Sequence, residues 1–269
     1  MRGEMRVRSP SHLSDLPTKM RPIVTLLSDF GTADGYVAEL KGVLHSAIPD
    51  AQIVDASHDI PPQDVELARL TLARYWRRFP PRTVHLVVVD PGVGSSRAAI
   101  AVESEGRFLV GPDNGVLSPA LLSRGARAVA LAVPSDAAPT FHGRDVFAPA
   151  AARLALGEAL EFLGVPHDRP FLRRTAEPHQ REDGAIEGEV IAIDRFGNAI
   201  TNLIARGGGT VEVDDLRLPI VRTYSEVPSG TLCAVGGSTG LIEIAVRDGH
   251  GAEAARLRRG SRVVLHTTR

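Results

Sequence analysis

Residues 21–164 predict an α/β domain with a largely parallel sheet, and residues 185–269 predict a smaller all-β, barrel-like domain. Three observations carry this reading. Short apolar runs ending in turn formers alternate with segments of helical spacing as far as Gly164. Beyond it, residues 165–184 turn to Pro, Arg, His and acidic side chains with little periodicity, which reads as a linker, and only short strand-like runs follow. The chain has 269 residues and 43% apolar content, enough for a core in each part.

In order, Ile23 to Leu27 form an apolar strand ending in Ser28-Asp29-Phe30-Gly31-Thr32. Val37 to Ser46 repeat apolar residues at helical spacing, and Pro49 closes that helix. Ile53-Val54-Asp55 begins a strand, and a helix runs from Asp64, its N-cap, to Arg78 with Trp76 on its rim. Val84 to Val89 make a buried strand that delivers Asp90 to the loop Pro91-Gly92-Val93-Gly94. Ala99–Val102 and Phe108–Val110 flank Glu105-Gly106 as a hairpin, followed by the turn-rich Pro112-Asp113-Asn114-Gly115. Ala128 to Val133 predict a strand, and Val146 to Leu156 a helix entered through Phe141-His142-Gly143-Arg144-Asp145. In the second part the strands are Gly188–Ile193, Ala199–Leu203, Thr210–Val213, Ile220–Tyr224, Thr231–Val235, Leu241–Val246 and Arg262–His266. The first two flank the turn Asp194-Arg195-Phe196-Gly197-Asn198.

Composition narrows the function. With 31 basic and 32 acidic residues the net charge is −1, so no global field favours nucleic acid or an anionic membrane, and any selectivity for charge must be local. No stretch reaches the roughly 18 apolar residues that span a bilayer, and residues 1–20 lack the apolar centre of a signal peptide, so a cytoplasmic location is expected. Those first residues read as a disordered leader, with Met20 as an alternative start. The single cysteine, Cys233, lies among apolar neighbours and reads as an inert thiol.

Familiar motifs fail. Ser28-Asp29-Phe30-Gly31 has the kinase triplet without the rest of the kinase set, and Gly92-Val93-Gly94 lacks a third glycine. The nine histidines form no metal-spaced pair on a helix. A metal site would have to gather the distant Asp29, Asp90 and His142, which makes metal-dependent hydrolysis an alternative reading. Asp90 stands where α/β proteins keep their chemistry, past the carboxyl end of a strand, and Arg97 can fold back toward it across the glycine turn. Taken alone, that pair is equally a turn-closing ion pair.

The motifs Ser28-Asp29-Phe30-Gly31-Thr32, Asp90-Pro91-Gly92-Val93-Gly94 with Arg97, Pro112-Asp113-Asn114-Gly115, Phe141-His142-Gly143-Arg144-Asp145 and Phe196-Gly197-Asn198 occur in that order. Together they closely resemble the S-adenosyl-L-methionine hydroxide adenosyltransferase family, relatives of the fluorinases and chlorinases, from Ile23 to the C-terminus. The resemblance implies hydrolysis of S-adenosyl-L-methionine, the substrate, to adenosine and L-methionine without cofactor or metal, by a homotrimer with its sites at subunit interfaces. It carries the catalytic roles to Asp90, Arg97 and His142. It assigns the ribose hydroxyls to Asp29, the methionine ammonium to Asp34 and Asp194, and the methionine carboxylate to Ser238. Asn198 offers an amide edge to adenine, Phe141 and Phe196 offer walls, and Tyr36 stands where the halogenases carry Ser. Those enzymes also have Tyr at Asp90, Thr at Val93, Ser at Gly143, Trp at Gln63 and an extra loop after Trp76, so the departures favour water over halide. A non-catalytic adenosine- or S-adenosylmethionine-binding protein is the reading from another class.

Overall fold

The computed structural model describes residues 21–205 and 207–267, so the expected leader lies outside the described residues. Eleven elements build the first part: β1 (Ile23–Ser28), α1 (Tyr36–Ala47), β2 (Gln52–Ser57), α2 (Val65–Tyr75), β3 (Val84–Val88), β4 (Ala99–Ser104), β5 (Arg107–Pro112), α3 (Ser118–Leu121), β6 (Arg127–Leu131), α4 (Ala148–Ala155) and β7 (Gly164–Pro166). They form one sheet in the order β2-β1-β3-β5-β4-β6-β7. β2, β1, β3 and β5 run parallel, β4 is antiparallel to both its neighbours, and β7 is antiparallel to β6. Five of the seven strands therefore share one direction.

Both faces of this sheet are covered, as a mostly parallel sheet requires. Alternation along β3 sends Leu86 and Val88 to the face under α1 and α4, and Val87 and Val89 to the face under α2 and α3. Asp64 caps α2 as expected, its Oδ1 accepting from Leu67 N at 2.9 Å. The helix ends at Tyr75, and a tighter turn over Trp76–Arg78 swings Trp76 into the core. This overturns the expected rim position: the large apolar indole gains more from the α2-side core than from the surface. The hairpin turn at Glu105-Gly106 has φ of 49° and 71°, as a primed turn demands.

The second part comprises β8 (His179–Gln180), β9 (Ile186–Ile193), β10 (Ala199–Ile204), β11 (Gly209–Val213), β12 (Leu216–Val221), β13 (Leu232–Gly236), β14 (Leu241–Val246), α5 (Gly251–Ala254) and β15 (Arg262–Thr267). The order is β10-β14-β13-β12-β11-β15-β9-β8, and pairing of β9 with β10 closes all but β8 into a seven-stranded barrel. Tyr224 falls in a short turn after β12 rather than in the strand.

The two parts meet through Leu67 and Leu70 of α2 packed with Ile191, Ala192, Ile200 and Leu241 of the barrel. Arg259 reinforces this contact by donating twice to Asp64, at 3.1 and 2.7 Å. The connecting stretch lies against both parts: Phe171 N donates to Asp113, and the Ala176 carbonyl accepts from Asn202. No helix among the described residues is long and apolar enough to cross a membrane.

Candidate active site

Asp90 leaves the sheet two residues after β3, with its side chain largely enclosed. β1 and β3 pair in parallel with Ser28 opposite Val88, so Asp29 and Asp90 emerge at the same edge of the sheet. Two tight turns, closed by Val93 N to Asp90 O and Ser95 N to Gly92 O, bring Arg97 back. Gly94 makes this possible, with φ +76° and its α-carbon so near the Pro139 carbonyl that a Cβ would sit 2.6 Å from the oxygen.

Arg97 grips Asp90 with two parallel hydrogen bonds, Nε to Oδ1 at 2.9 Å and Nη2 to Oδ2. The same Nη2 lies 3.1 Å from His142 Nδ1. Only 10% of the Arg97 side chain and 6% of the Asp90 side chain is exposed, and the guanidinium carbon stands 5.2 Å from the Phe147 ring. His142 is also buried, at the entry to a π-helical turn over Gly143–Phe147 that leads into α4. Burial holds the His142 pKa below its ordinary 6.5, and the Arg97 charge adds to this, against opposing contributions from Asp90 and Asp145. The ring is therefore neutral at neutral pH. A guanidinium only donates, so His142 Nδ1 must accept and its proton sits on Nε2. Arg97 Nη1 is buried with no partner among the described residues.

Around this trio, Asn114 of the Pro112–Gly115 turn donates to the Val89 carbonyl at 2.9 Å, and Asp113 N donates to the Ala98 carbonyl at 2.9 Å. The turn thus holds the chain just before Asp90 and just after Arg97. Asp29 is partly exposed and accepts from Gln63 N at 2.7 Å. Phe141 and Tyr36 form an aromatic triangle with Phe30, their centroids 5.5 to 5.7 Å apart. Asp34 lies on the exposed loop ahead of α1.

Asp194, Phe196, Asn198 and Ser238 lie together elsewhere, on the barrel. They line a cavity of about 950 Å³. Asp194 organises the β9–β10 turn: Oδ1 accepts from Phe196 N and Asn198 N, and Oδ2 accepts from the Asn198 side chain. Phe196 is left 78% exposed. The cavity lining includes none of Asp29, Asp90, Arg97, Phe141 or His142, and no hydrogen bond joins the two sets among the described residues. The predicted site residues of one chain thus fall into two separate groups.

Two residues of the barrel half escaped the sequence reading. Tyr224 and Glu243 line the same cavity, with the phenol donating to Glu243 Oε2 at 3.3 Å. Glu243 is buried, which raises its carboxyl above the usual range. A charge inside the apolar run Leu241-Ile242-Glu243-Ile244 was the available signal. Both Asp90 oxygens and His142 Nδ1 accept from the Arg97 cation, and no group of three or more His, Cys, Asp and Glu side chains that could hold a metal occurs among the described residues.

Fold and site together define a two-domain α/β and β-barrel protein with a buried carboxylate–guanidinium–imidazole trio at a strand end. The chain belongs to the S-adenosylmethionine hydroxide adenosyltransferase family, whose N-terminal domain matches residues 24–164 and whose C-terminal domain matches residues 188–264. It is 45% identical to the (R)-S-adenosyl-L-methionine hydrolase of Thermus thermophilus, over 91% of this chain and 100% of that one. It is 38% identical to the enzyme of the same name from Salinispora tropica, over 90% and 97%. A fluorinase of Actinopolyspora mzabensis is 30% identical over 77% and 84%. Among solved structures, an uncharacterized conserved protein from Thermotoga maritima matches with TM-score 0.83 and 31% identity, over 91% of this chain and 100% of that one.

Proposed function

We propose that this protein hydrolyses S-adenosyl-L-methionine to adenosine and L-methionine by direct attack of water at C5′. The observation that carries the proposal is the buried Asp90–Arg97–His142 trio, and the curated names of the hydrolase relatives support the substrate. The oxygen of water bonds to C5′ while the C5′–S bond breaks, its electron pair leaving with sulfur as a neutral thioether. Such a leaving group needs no general acid and no metal. What the step needs is a water held in line and a place for its proton.

Arg97 stays protonated and acts by charge and position. His142 commits its Nδ1 lone pair to Arg97 and presents Nε2–H as a donor, which leaves Asp90 as the proton acceptor. Asp29 holds the ribose hydroxyls. Asp34 and Asp194 pair with the ammonium, and Ser238 meets the carboxylate. Asn198 meets adenine, and Phe141, Phe196 and Tyr36 wall the substrate. The two residue groups share no cavity lining in one chain and Phe196 is exposed, which supports a complete site assembled between subunits of a homotrimer, with the barrel of one subunit covering the trio of its neighbour.

The test is incubation of purified protein with S-adenosylmethionine in oxygen-18 water, followed by chromatography and mass spectrometry. Adenosine labelled at the 5′-hydroxyl is expected. Adenosine at the spontaneous level only would leave a binding protein, and unlabelled adenosine would refute direct attack by water.

A further inference from the structure

A second hydrogen-bonded chain lies beneath Asp29. Ser28 Oγ is 2.7 Å from His58 Nδ1, His58 Nε2 is 3.1 Å from Asp55 Oδ1, and Lys41 Nζ donates to Asp55 Oδ2 at 2.6 Å. These are the residue types of a hydrolytic triad in the wrong arrangement. The ring is reversed, with the carboxylate on Nε2 and the hydroxyl on Nδ1. Ser28 is 1% exposed, so its oxygen cannot meet a substrate.

With the ring proton on Nε2 facing Asp55, Nδ1 accepts the Ser28 hydroxyl proton, and Oγ in turn accepts from Phe30 N at 3.4 Å. The His58 carbonyl accepts from Gly31 N at 2.8 Å. His58 therefore holds the Ser28–Gly31 loop on both sides of Asp29, by its side chain before and by its backbone after. The register explains the contact, since β1 and β2 run parallel with Leu27 opposite Ser57. The same β2–α2 connection supplies Gln63 N to Asp29 Oδ2, from a residue held at φ 67°. His58 itself is 5% exposed, and a buried imidazole bonded at both nitrogens has one orientation.

We infer that His58 is a positioning residue: the Ser28–His58–Asp55 relay orients the Asp29 carboxylate and so sets how sharply the protein recognises a ribose 2′,3′-diol. This rests on the proposed role of Asp29 in holding the ribose.

The test measures dissociation constants of adenosine and 2′-deoxyadenosine by calorimetry for the wild-type chain and for Asp29→Ala, His58→Phe, His58→Asn and Ser28→Ala. The wild-type chain is expected to prefer adenosine by ~10-fold or more, the worth of one hydrogen bond to a charged group. Asp29→Ala abolishes that preference, and His58→Phe and Ser28→Ala reduce it to within about threefold, the loss of an oriented rather than an absent bond. His58→Asn, whose amide reaches Ser28 from the Nδ1 position, restores most of it. A general loss of structure would lower affinity for both ligands and leave their ratio alone. Should His58→Phe fail to fold, Ser28→Ala, which removes one atom, decides the matter. Wild-type discrimination in the His58 and Ser28 variants alongside its loss in Asp29→Ala overturns the relay and leaves the ribose role of Asp29 standing. Wild-type discrimination in Asp29→Ala overturns both.

Discussion

At the scale of the residue, the roles proposed for the trio differ by protonation state. Asp90→Ala is expected to lower kcat by ~10²- to 10⁴-fold, the range for a general base, and His142→Ala by ~10²- to 10³-fold, the range for one oriented donor, each with little change in substrate affinity measured by calorimetry. Equal losses in both quantities would contradict transition-state roles. Arg97→Lys keeps the charge but cannot span both Asp90 oxygens and His142 at once, so steady-state kinetics should show a large loss in kcat. His142 must stay neutral to accept from Arg97, and its pKa lies below 6.5, so the acid limb of kcat/KM is expected below that pH. The same depression has a stability consequence. The unfolded chain binds the His142 proton more readily, so the contribution is complete above pH 6.5 and declines as pH falls from there toward the lowered folded value. Chemical denaturation across that interval measures it.

At the scale of the element, the site depends on loops that a strand end and a helix start hold in place. Gly94→Ala forces a Cβ against the Pro139 carbonyl at a positive φ, and is expected to cost about 1–3 kcal/mol in denaturant unfolding and to disturb the Arg97 return. Asp64→Ala removes the α2 cap, worth about 1 kcal/mol, together with the partner of Arg259 in the barrel. Its unfolding midpoint should fall accordingly. The elements themselves were largely legible. Apolar runs with period two or near 3.6 located the strands of both parts and the helices α1, α2 and α4, because those periods reflect one or two buried faces. The misses were β12, which begins at Leu216 and ends at Val221 where Ile220–Tyr224 was expected, and the short elements. β7, β8, α3 and α5 span two to four residues, too few to repeat a pattern, and tertiary neighbours alone hold them.

At the scale of the whole molecule, the separation of the two residue groups in one chain turns the proposed trimer into a kinetic prediction. Co-expressed Asp90→Ala and Asn198→Ala chains should recover part of the wild-type activity, because a mixed assembly joins the intact trio of one chain to the intact barrel of the other. Each variant alone should be nearly inactive, and a mixture no better than its parts would place the whole site within one chain. Sequence alone determined the alternation of strand and helix, the later run of strands and the order of the motifs, since each follows from residue types a few positions apart. The tertiary structure decided what depends on distance through space. It brought Arg97 and His142, 45 residues apart, within 3.1 Å, and so set the tautomer of the imidazole. It buried Trp76, placed Glu243 in the barrel cavity and set His58 beneath Asp29. Burial and strand register govern these outcomes, and both belong to the folded chain rather than to any local stretch of it.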